Sequence, residues 1–231
     1  PLYSSAASDV YKRQMQRRLI LLRHGQTTYN ATNRMQGHLD SPLSETGLAQ
    51  ARSAAELVAK LGVSKIVASD LQRAANTAQI IADRLGLPVS TDARLRETHL
   101  GEWQGKSHAE VDAAHPGARA RWRNDAAWAP PEGESRVEVA QRARPVVEEL
   151  LAEYDAWDDS AVLLVAHGGT ISALTANLLG LDVSQFPLFK SLGNTNTARL
   201  YAMPAYSEPD AGMQWYLEAW NQGLVLSLIH I

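Results

Sequence analysis

Residues 19–25 read LILLRHG, so four consecutive apolar side chains come directly before an arginine, a histidine and a glycine. A short continuous apolar run is typical of a strand that is buried on both faces, as in a parallel sheet. Two more runs have this form, KIVA at Lys65–Ala68 and AVLLVA at Ala161–Ala166, and the second also precedes a histidine and two glycines. The sequence therefore predicts three buried strands.

Helical periodicity between and after these runs predicts the elements that cover the strands. Apolar residues recur at helical spacing, and Ser135 and Glu138 have the spacing of a capping box. The predicted helices are Ser44–Leu61, Leu71–Leu85, a long helix from Ser135 toward Tyr154, and Thr170–Leu179. In two later segments, Thr197–Met203 and Gln214–Trp220, apolar and polar residues alternate, which predicts peripheral strands. This succession indicates an α/β three-layer sandwich, with a mostly parallel central sheet flanked by helices on both faces.

The domain organisation follows from length and from the absence of repeats or linker-like tracts. The chain has 231 residues, and we expect a single domain over residues 15–223. Residues 106–133, rich in tryptophan, proline and arginine, are interpreted as a partly helical insertion over one edge of the sheet. That insertion is either a lid-like specificity element or a segment that only packs against the rest of the domain. Residues 1–14 and 224–231 are expected to be non-native tails, with a disordered native extension as the alternative.

Composition excludes several function classes. The sequence has no cysteine, which excludes disulfides, thiolate catalysis and cysteine-ligated zinc. The net charge of −3 does not indicate a positively charged surface of the kind that binds nucleic acid or an anionic membrane. We therefore expect a cytoplasmic protein that binds neither nucleic acid nor membrane. Any anionic ligand has to meet a local cluster of positive charge.

Such a cluster is predicted at the ends of the three strands, where ligands bind in open α/β sheets. Arg23 and His24 follow the first strand, Arg73 comes shortly after the second, and His167 follows the third. Glycines next to both histidines let backbone N–H groups approach an anion closely at the start of a helix. Phosphate is the ligand that this pattern favours.

Other interpretations of these residue types are less consistent with the sequence. A lone histidine is more often structural than catalytic, and a lone arginine is usually solvated, but two histidines that each follow a buried strand are harder to explain structurally. The segment Gly101–Ser107 ends like a P-loop but has one residue too few between its glycines. No spacing indicates a metal site, so no metal and no cofactor are expected. Four histidines lack the strand-end placement and are expected to be surface or supporting residues: His38, His99, His108 and His115.

Residues 22–27, LRHGQT, resemble the signature of the histidine phosphatase superfamily, also called the phosphoglycerate-mutase-like family. Further segments resemble the family's motifs in the same order along the chain, over roughly residues 18 to 180. They include Asn30, Gln36-Gly37, PLSETG at 42–47, SDLQRA at 69–74, Arg96-Glu97, GEWQG at 101–105 and HGG at 167–169.

The resemblance implies a role for each matching residue. It implies that His24 is the nucleophile, which forms a phosphohistidine, and that Glu97 is the proton donor. Phosphoryl transfer depends mainly on positioning and charge stabilisation, which suits arginine and histidine side chains. By the same resemblance, the groups that bind the phosphoryl oxygens or the rest of the substrate are Arg23, Arg73, His167, Asn30, Gln36, Gly37 and Gly168.

The activity implied by the resemblance is that of a metal-independent phosphomonoesterase acting on a small phosphorylated metabolite. Glucosyl-3-phosphoglycerate, another sugar phosphate or a phosphoglycerate are the candidate substrates. Two alternatives stay open, a cofactor-dependent phosphoglycerate mutase and a non-catalytic module that binds sugar phosphates. The second is disfavoured because the matching histidines, arginines and glutamate are all present. The resemblance also suggests a homodimer.

Overall fold

The computed structural model describes residues 16–158, 160–205 and 212–223. The expected tails, 1–14 and 224–231, lie outside these residues. One six-stranded sheet has the order β3-β2-β4-β1-β5-β6. Its strands are β1 Arg17–Arg23, β2 Val63–Ala68, β3 Val89–Thr91, β4 Ala161–Ala166, β5 Thr197–Pro204 and β6 Met213–Gln222.

The sheet is mostly parallel, as the sequence predicted. Strand β4 lies between β1 and β2 and is parallel to both, and β2 is also parallel to β3. The two late strands β5 and β6 are antiparallel and form one edge, which confirms their predicted peripheral position. Strand β3 was not predicted, because three residues are too few to show a pattern.

The helices largely follow the predicted periodicity. Those in the described residues are α1 Thr28–Ala31, α2 Glu45–Val58, α3 Gln72–Leu85, α4 His108–Ala114, α5 Ala118–Asn124, α6 Arg136–Glu153 and α7 Gly168–Leu178. Ser44 caps α2 and Ser135 caps α6, the latter in the predicted capping box. Helix α7 begins two residues before the predicted Thr170, because Gly168 and Gly169 continue the helix rather than form a loop. Within the described ranges, no helix has the length and apolar character needed to cross a membrane.

Alternation along the central strands gives the sheet two apolar faces. Leu19 and Leu21 of β1 pack with α6 and α7 in one buried cluster. Ile20 and Leu22 of the same strand pack with α2 and α3 in another. Because successive side chains of a strand point to opposite faces, a continuous apolar run fills both layers. The three-layer sandwich predicted from the sequence is confirmed.

The segment 106–133 contains two short helices, α4 and α5, and has its own small core. Trp122 and Trp128 pack around the fully buried Trp103, together with Met35 and Leu100. These partners all lie outside the strands, so the segment packs on loops next to the sheet. The interpretation of this segment as a lid-like insertion over one edge of the sheet stays a prediction.

Candidate active site

His24 directly follows β1, and its backbone N–H donates to the carbonyl oxygen of Ala166 at the end of β4, at 3.0 Å. The imidazole is only 2% exposed, and its Nδ1 lies 2.7 Å from the carbonyl oxygen of Gly25. Because a carbonyl oxygen can only accept a hydrogen bond, Nδ1 carries the proton in the neutral ring. The lone pair of the imidazole therefore lies on Nε2.

His167 follows β4 as His24 follows β1, and their ring centroids are 5.1 Å apart. The His167 ring is fully buried, and neither of its nitrogens has a hydrogen-bond partner in the described part of the chain. A buried polar atom without a partner costs about 1–3 kcal/mol. A ligand rich in oxygen atoms would satisfy such a ring.

Arg73 and Arg23 are held beside these histidines by main-chain carbonyl groups. The guanidinium of Arg73 donates to the carbonyl oxygens of Gly37 at 2.7 Å and Leu39 at 2.9 Å. Arg23 donates to the carbonyl oxygen of Leu192. The Nε atoms of both arginines are buried, and neither has a partner among the described residues. Carbonyl groups orient a guanidinium without neutralising it, so both positive charges remain available to an anion.

Burial and the neighbouring guanidiniums keep both histidines neutral. Burial, and then the charges of Arg23 and Arg73, hold the pKa of His24 well below 6.5. Burial, followed by the charge of Arg73, lowers the pKa of His167 in the same way. Burial also lowers the pKa of Arg73 to about 10, which still leaves it charged near neutral pH. Two neutral imidazoles therefore stand beside two cations.

The carboxylate of Glu97 lies at the N-terminus of α7. Its Oε2 accepts from the backbone N–H of Gly169, and its Oε1 from that of Thr170, both at 3.2 Å. Free N–H groups and the helix dipole favour a carboxylate at this end of a helix. A Cβ on residue 169 would lie 2.5 Å from Oε1 of Glu97, so glycine is needed for this approach.

Arg142 of α6 fixes the backbone around Glu97. Its guanidinium donates to the carbonyl oxygens of Arg96 at 2.9 Å and Glu97 at 2.8 Å, and it pairs with the carboxylate of Glu134 at 2.8 Å. The ring of His38 approaches the same carbonyl oxygen of Glu97, with Nε2 at 2.7 Å. His38 therefore supports the chain at Glu97, in line with the supporting role expected from the sequence.

Asn30 and Gln36 present amide N–H groups to the site. The backbone N–H of Thr27 donates to Oδ1 of Asn30 at 3.1 Å. Oε1 of Gln36 accepts from the hydroxyls of Thr27 at 2.9 Å and Ser41 at 2.5 Å. Because each amide oxygen is already engaged, the NH₂ groups are the ones left to donate to a ligand.

These groups surround one cavity of about 400 Å³. The predicted site residues that line it are Arg23, His24, Asn30, Gln36, Gly37, Arg73 and Glu97. His167 and Gly168 do not line it directly. The ring centroid of His167 lies 5.1 Å from that of His24, and a Cβ on Gly168 would come within 2.0 Å of the Ser191 hydroxyl. Contact of His167 or Gly168 with a substrate therefore stays a prediction.

The cavity is also lined by residues that were not among the predicted site residues. They come from the loop after α1, from the position after Glu97, from the segment 106–133, from the start of α6 and from the loop before β5: Arg34, Thr98, His108, Trp122, Arg123, Arg136, Lys190 and Ser191. In the sequence, the arginines and tryptophans of 106–133 are visible only as a bias in composition. Spacing alone does not reveal which of them reach the cavity, and His108 was expected to be peripheral.

The two buried neutral histidines predict a loss of stability in mild acid. In the unfolded chain both histidines bind protons near pH 6.5, whereas burial prevents this in the folded protein. The contribution of these two histidines to the free energy of unfolding should therefore be constant well above pH 6.5. It should fall below that pH, approaching about 1.4 kcal/mol per pH unit for each histidine, and His38 and His108, whose pKa values are also lowered by burial, should add to the fall. Urea unfolding between pH 7.5 and pH 5 measures the slope.

The variant His167→Gln provides the control for this prediction. It keeps a polar side chain but removes one titrating group. The slope of the free energy of unfolding against pH below pH 6.5 should therefore decrease by about 1.4 kcal/mol per pH unit, the contribution of one proton. A free energy of unfolding that is flat between pH 6.5 and pH 5 in the parent protein would contradict the assignment of two buried neutral rings.

Comparison with known proteins agrees with this geometry. Residues 19–208 match the histidine phosphatase superfamily (branch 1). The chain is 54% identical over 213 residues to glucosyl-3-phosphoglycerate phosphatase of Mycolicibacterium vanbaalenii, covering 89% of this chain and 94% of that protein. A solved structure of mycobacterial glucosyl-3-phosphoglycerate phosphatase in complex with VO3 has a TM-score of 0.84 at 51% identity, and the match covers 90% of this chain and all of that one.

A more distant relative bears the name of the alternative activity. The chain is 39% identical over 168 residues to a probable phosphoglycerate mutase of Yersinia pestis, covering 71% of this chain and 75% of that protein. The higher identity and the fuller coverage both lie with the phosphatases, which favours hydrolysis over isomerisation. The chain therefore belongs to branch 1 of the histidine phosphatase superfamily, and it is a phosphoric monoester hydrolase of that family.

Proposed function

We propose that this protein hydrolyses a phosphomonoester in two displacements at Nε2 of His24. The observation that carries the proposal is the 2.7 Å contact between Nδ1 of His24 and the carbonyl oxygen of Gly25. This contact places the ring's lone pair on Nε2 and fixes the ring plane. Because the adjacent arginines also disfavour protonation, the nucleophile is in its reactive form near neutral pH.

Arg23, Arg73 and His167 bind the phosphoryl group in this proposal. Phosphoryl transfer spreads negative charge over three equatorial oxygens, so catalysis is mainly positioning and electrostatic stabilisation. Each of the three side chains has a buried N–H donor or ring nitrogen without a protein partner among the described residues. The neutral amides of Asn30 and Gln36 add donors at the same end of the cavity.

In the first displacement, the lone pair of Nε2 forms a bond to phosphorus while the bond from phosphorus to the ester oxygen breaks. Glu97, in its carboxylic acid form, gives its proton to the departing oxygen, so an alcohol leaves rather than an alkoxide. The product is a phosphohistidine and a Glu97 carboxylate. The backbone N–H groups at the start of α7 stabilise that carboxylate.

In the second displacement, water attacks phosphorus and Glu97 accepts one of its protons. The N–P bond breaks, its electron pair returns to Nε2, and inorganic phosphate leaves. Glu97 is again an acid and His24 is again neutral, which closes the cycle. Splitting the hydrolysis at a covalent intermediate makes each step easier than direct attack by water.

The substrate that we propose is glucosyl-3-phosphoglycerate or a closely related phosphorylated sugar acid. The support is the resemblance to phosphatases named for that compound, which extends along most of both chains. A cavity of about 400 Å³ lies within the range of small-molecule sites. The single domain over 15–223, the cytoplasmic location and the homodimer stay predictions from the sequence.

Phosphate release from glucosyl-3-phosphoglycerate in the presence of a metal chelator tests the proposal. We expect turnover to persist in the chelator, because arginine and histidine side chains supply the positive charge. The parallel assay offers 3-phosphoglycerate with a bisphosphoglycerate primer and measures conversion to 2-phosphoglycerate. Isomerisation that is faster than phosphate release would favour a mutase. If the protein catalyses neither reaction, the non-catalytic module would be favoured.

A further inference from the structure

We propose that Arg136, assisted by Arg123, binds a second anionic group of the substrate and so selects phosphorylated acids over phosphorylated neutral sugars. This inference rests on the proposed phosphatase function. The group it would take is a carboxylate on the leaving-group side of the phosphate ester.

The charge balance of the cavity is the first observation. Its lining contains one carboxylate, that of Glu97, and six permanently charged cations: Arg23, Arg34, Arg73, Arg123, Arg136 and Lys190. The protein as a whole has a net charge of −3, so this excess is local. Arg23 and Arg73 stand beside His24 and suffice to hold a phosphoryl group. The remaining cations therefore exceed what one phosphate needs.

Arg136 occupies an unfavourable position for a positive charge. It is the first residue of α6, where the helix dipole disfavours a cation. Its side chain is partly buried, and this burial lowers its pKa. Both effects cost free energy, which a bound anion at this place would offset.

No protein carboxylate neutralises Arg136 within the described residues. Its guanidinium packs over the ring of Trp122, 5.4 Å from the ring centroid, and its polar contact is with the carbonyl oxygen of Arg123 at 3.4 Å. Its neighbours along α6 differ: Arg142 pairs with Glu134 and Arg144 with Glu148. Arg136 is thus held in place and keeps its charge available.

The position of Arg136 relative to Glu97 indicates which part of a substrate it meets. Both residues line the same cavity, and the negative charge of Glu97 acts on the guanidinium of Arg136. In the proposed mechanism Glu97 protonates the departing oxygen. A cation near Glu97 therefore faces the leaving group.

A matched pair of substrates tests this inference. Glucosyl-3-phosphoglycerate and 2-O-glucosylglycerol 3-phosphate differ only in whether a carboxylate or a CH₂OH group is present. We expect the parent enzyme to prefer the acid in kcat/KM by roughly tenfold or more, as for a charge-assisted bidentate hydrogen bond. In Arg136→Gln the ratio of the two kcat/KM values should fall to about threefold or less, and Arg136→Lys should restore part of it.

The ratio is measured within each variant, so a general loss of activity cancels. The matched control is Arg121→Gln, because Arg121 also packs over a tryptophan from the same segment but does not line the cavity. That variant should keep the parental ratio. A parental enzyme without preference, or an unchanged ratio in Arg136→Gln, would overturn the inference. If either compound is hydrolysed and the hydrolysis is lost in His24→Ala, the proposed phosphatase function holds even where the inference about Arg136 fails.

Discussion

Replacing His24 by alanine should reduce phosphate release by at least about 10⁴-fold, the scale seen when an enzyme loses its nucleophile. The same variant should fail to retain labelled phosphate after an acid-free quench, whereas the parent protein is labelled. Both losses have one cause, because Nε2 of His24 is the atom to which phosphorus is transferred. Rapid mixing with a ³²P-labelled substrate, followed by electrophoresis at alkaline pH, measures the label directly.

The structure also separates this chemical loss from unfolding. The His24 ring is buried, neutral and held by one contact to the Gly25 carbonyl oxygen, so its removal leaves a small cavity and no unpaired charge. A thermal melt should therefore still show a cooperative transition. The matched control is His115→Ala, since His115 lies in the insertion and does not line the cavity. Labelled phosphate on the His24→Ala protein would refute the mechanism.

Replacing Glu97 by glutamine should produce a defect that depends on the leaving group. For an alkyl phosphate, transfer to His24 should slow by roughly 10²–10⁴-fold, because the departing alkoxide needs a proton. For 4-nitrophenyl phosphate the first transfer should be nearly spared, since nitrophenolate leaves without help. The second displacement still lacks its base, so a burst of nitrophenol and an accumulated phosphoenzyme should appear in stopped-flow measurements.

Glutamine is a suitable replacement because it has the shape of glutamate and its single carbonyl oxygen can still accept from one of the two N–H groups at the start of α7. Glu102→Gln provides the control, since that carboxylate lies near His115 and outside the cavity lining. Equal losses for the alkyl and the nitrophenyl ester, without a burst, would argue that Glu97 only holds the helix end and transfers no proton.

The strand-end cluster was predictable because the relevant signal is local. Arg23 pairs with Ala166 in the parallel register of β1 and β4, so the residue that follows each strand reaches the same place. The sequence therefore indicated that His24 and His167 lie together. Continuous apolar runs likewise indicated a sheet that is covered on both faces.

The positions of Glu97 and Arg136, in contrast, depend on contacts between distant parts of the chain. Glu97 follows a short 3₁₀ helix, and its place depends on the hydrogen bonds of Arg142, which lies 45 residues further along the chain. Only the family resemblance pointed to it. Arg136 is equally non-local, since its environment comes from Trp122 of another helix. Contacts of this kind depend on tertiary packing, which periodicity does not encode.

The small core around Trp103 has a consequence for how specificity can change. His24, His167 and the helix start that holds Glu97 belong to the sheet and α7, whereas Trp122 at the cavity is anchored in a separate apolar cluster. The two parts can therefore change separately. Transplanting residues 106–136 from another family member, together with the residues that contact Trp103, should change the preference among esters while His24, Arg73 and Glu97 stay as they are.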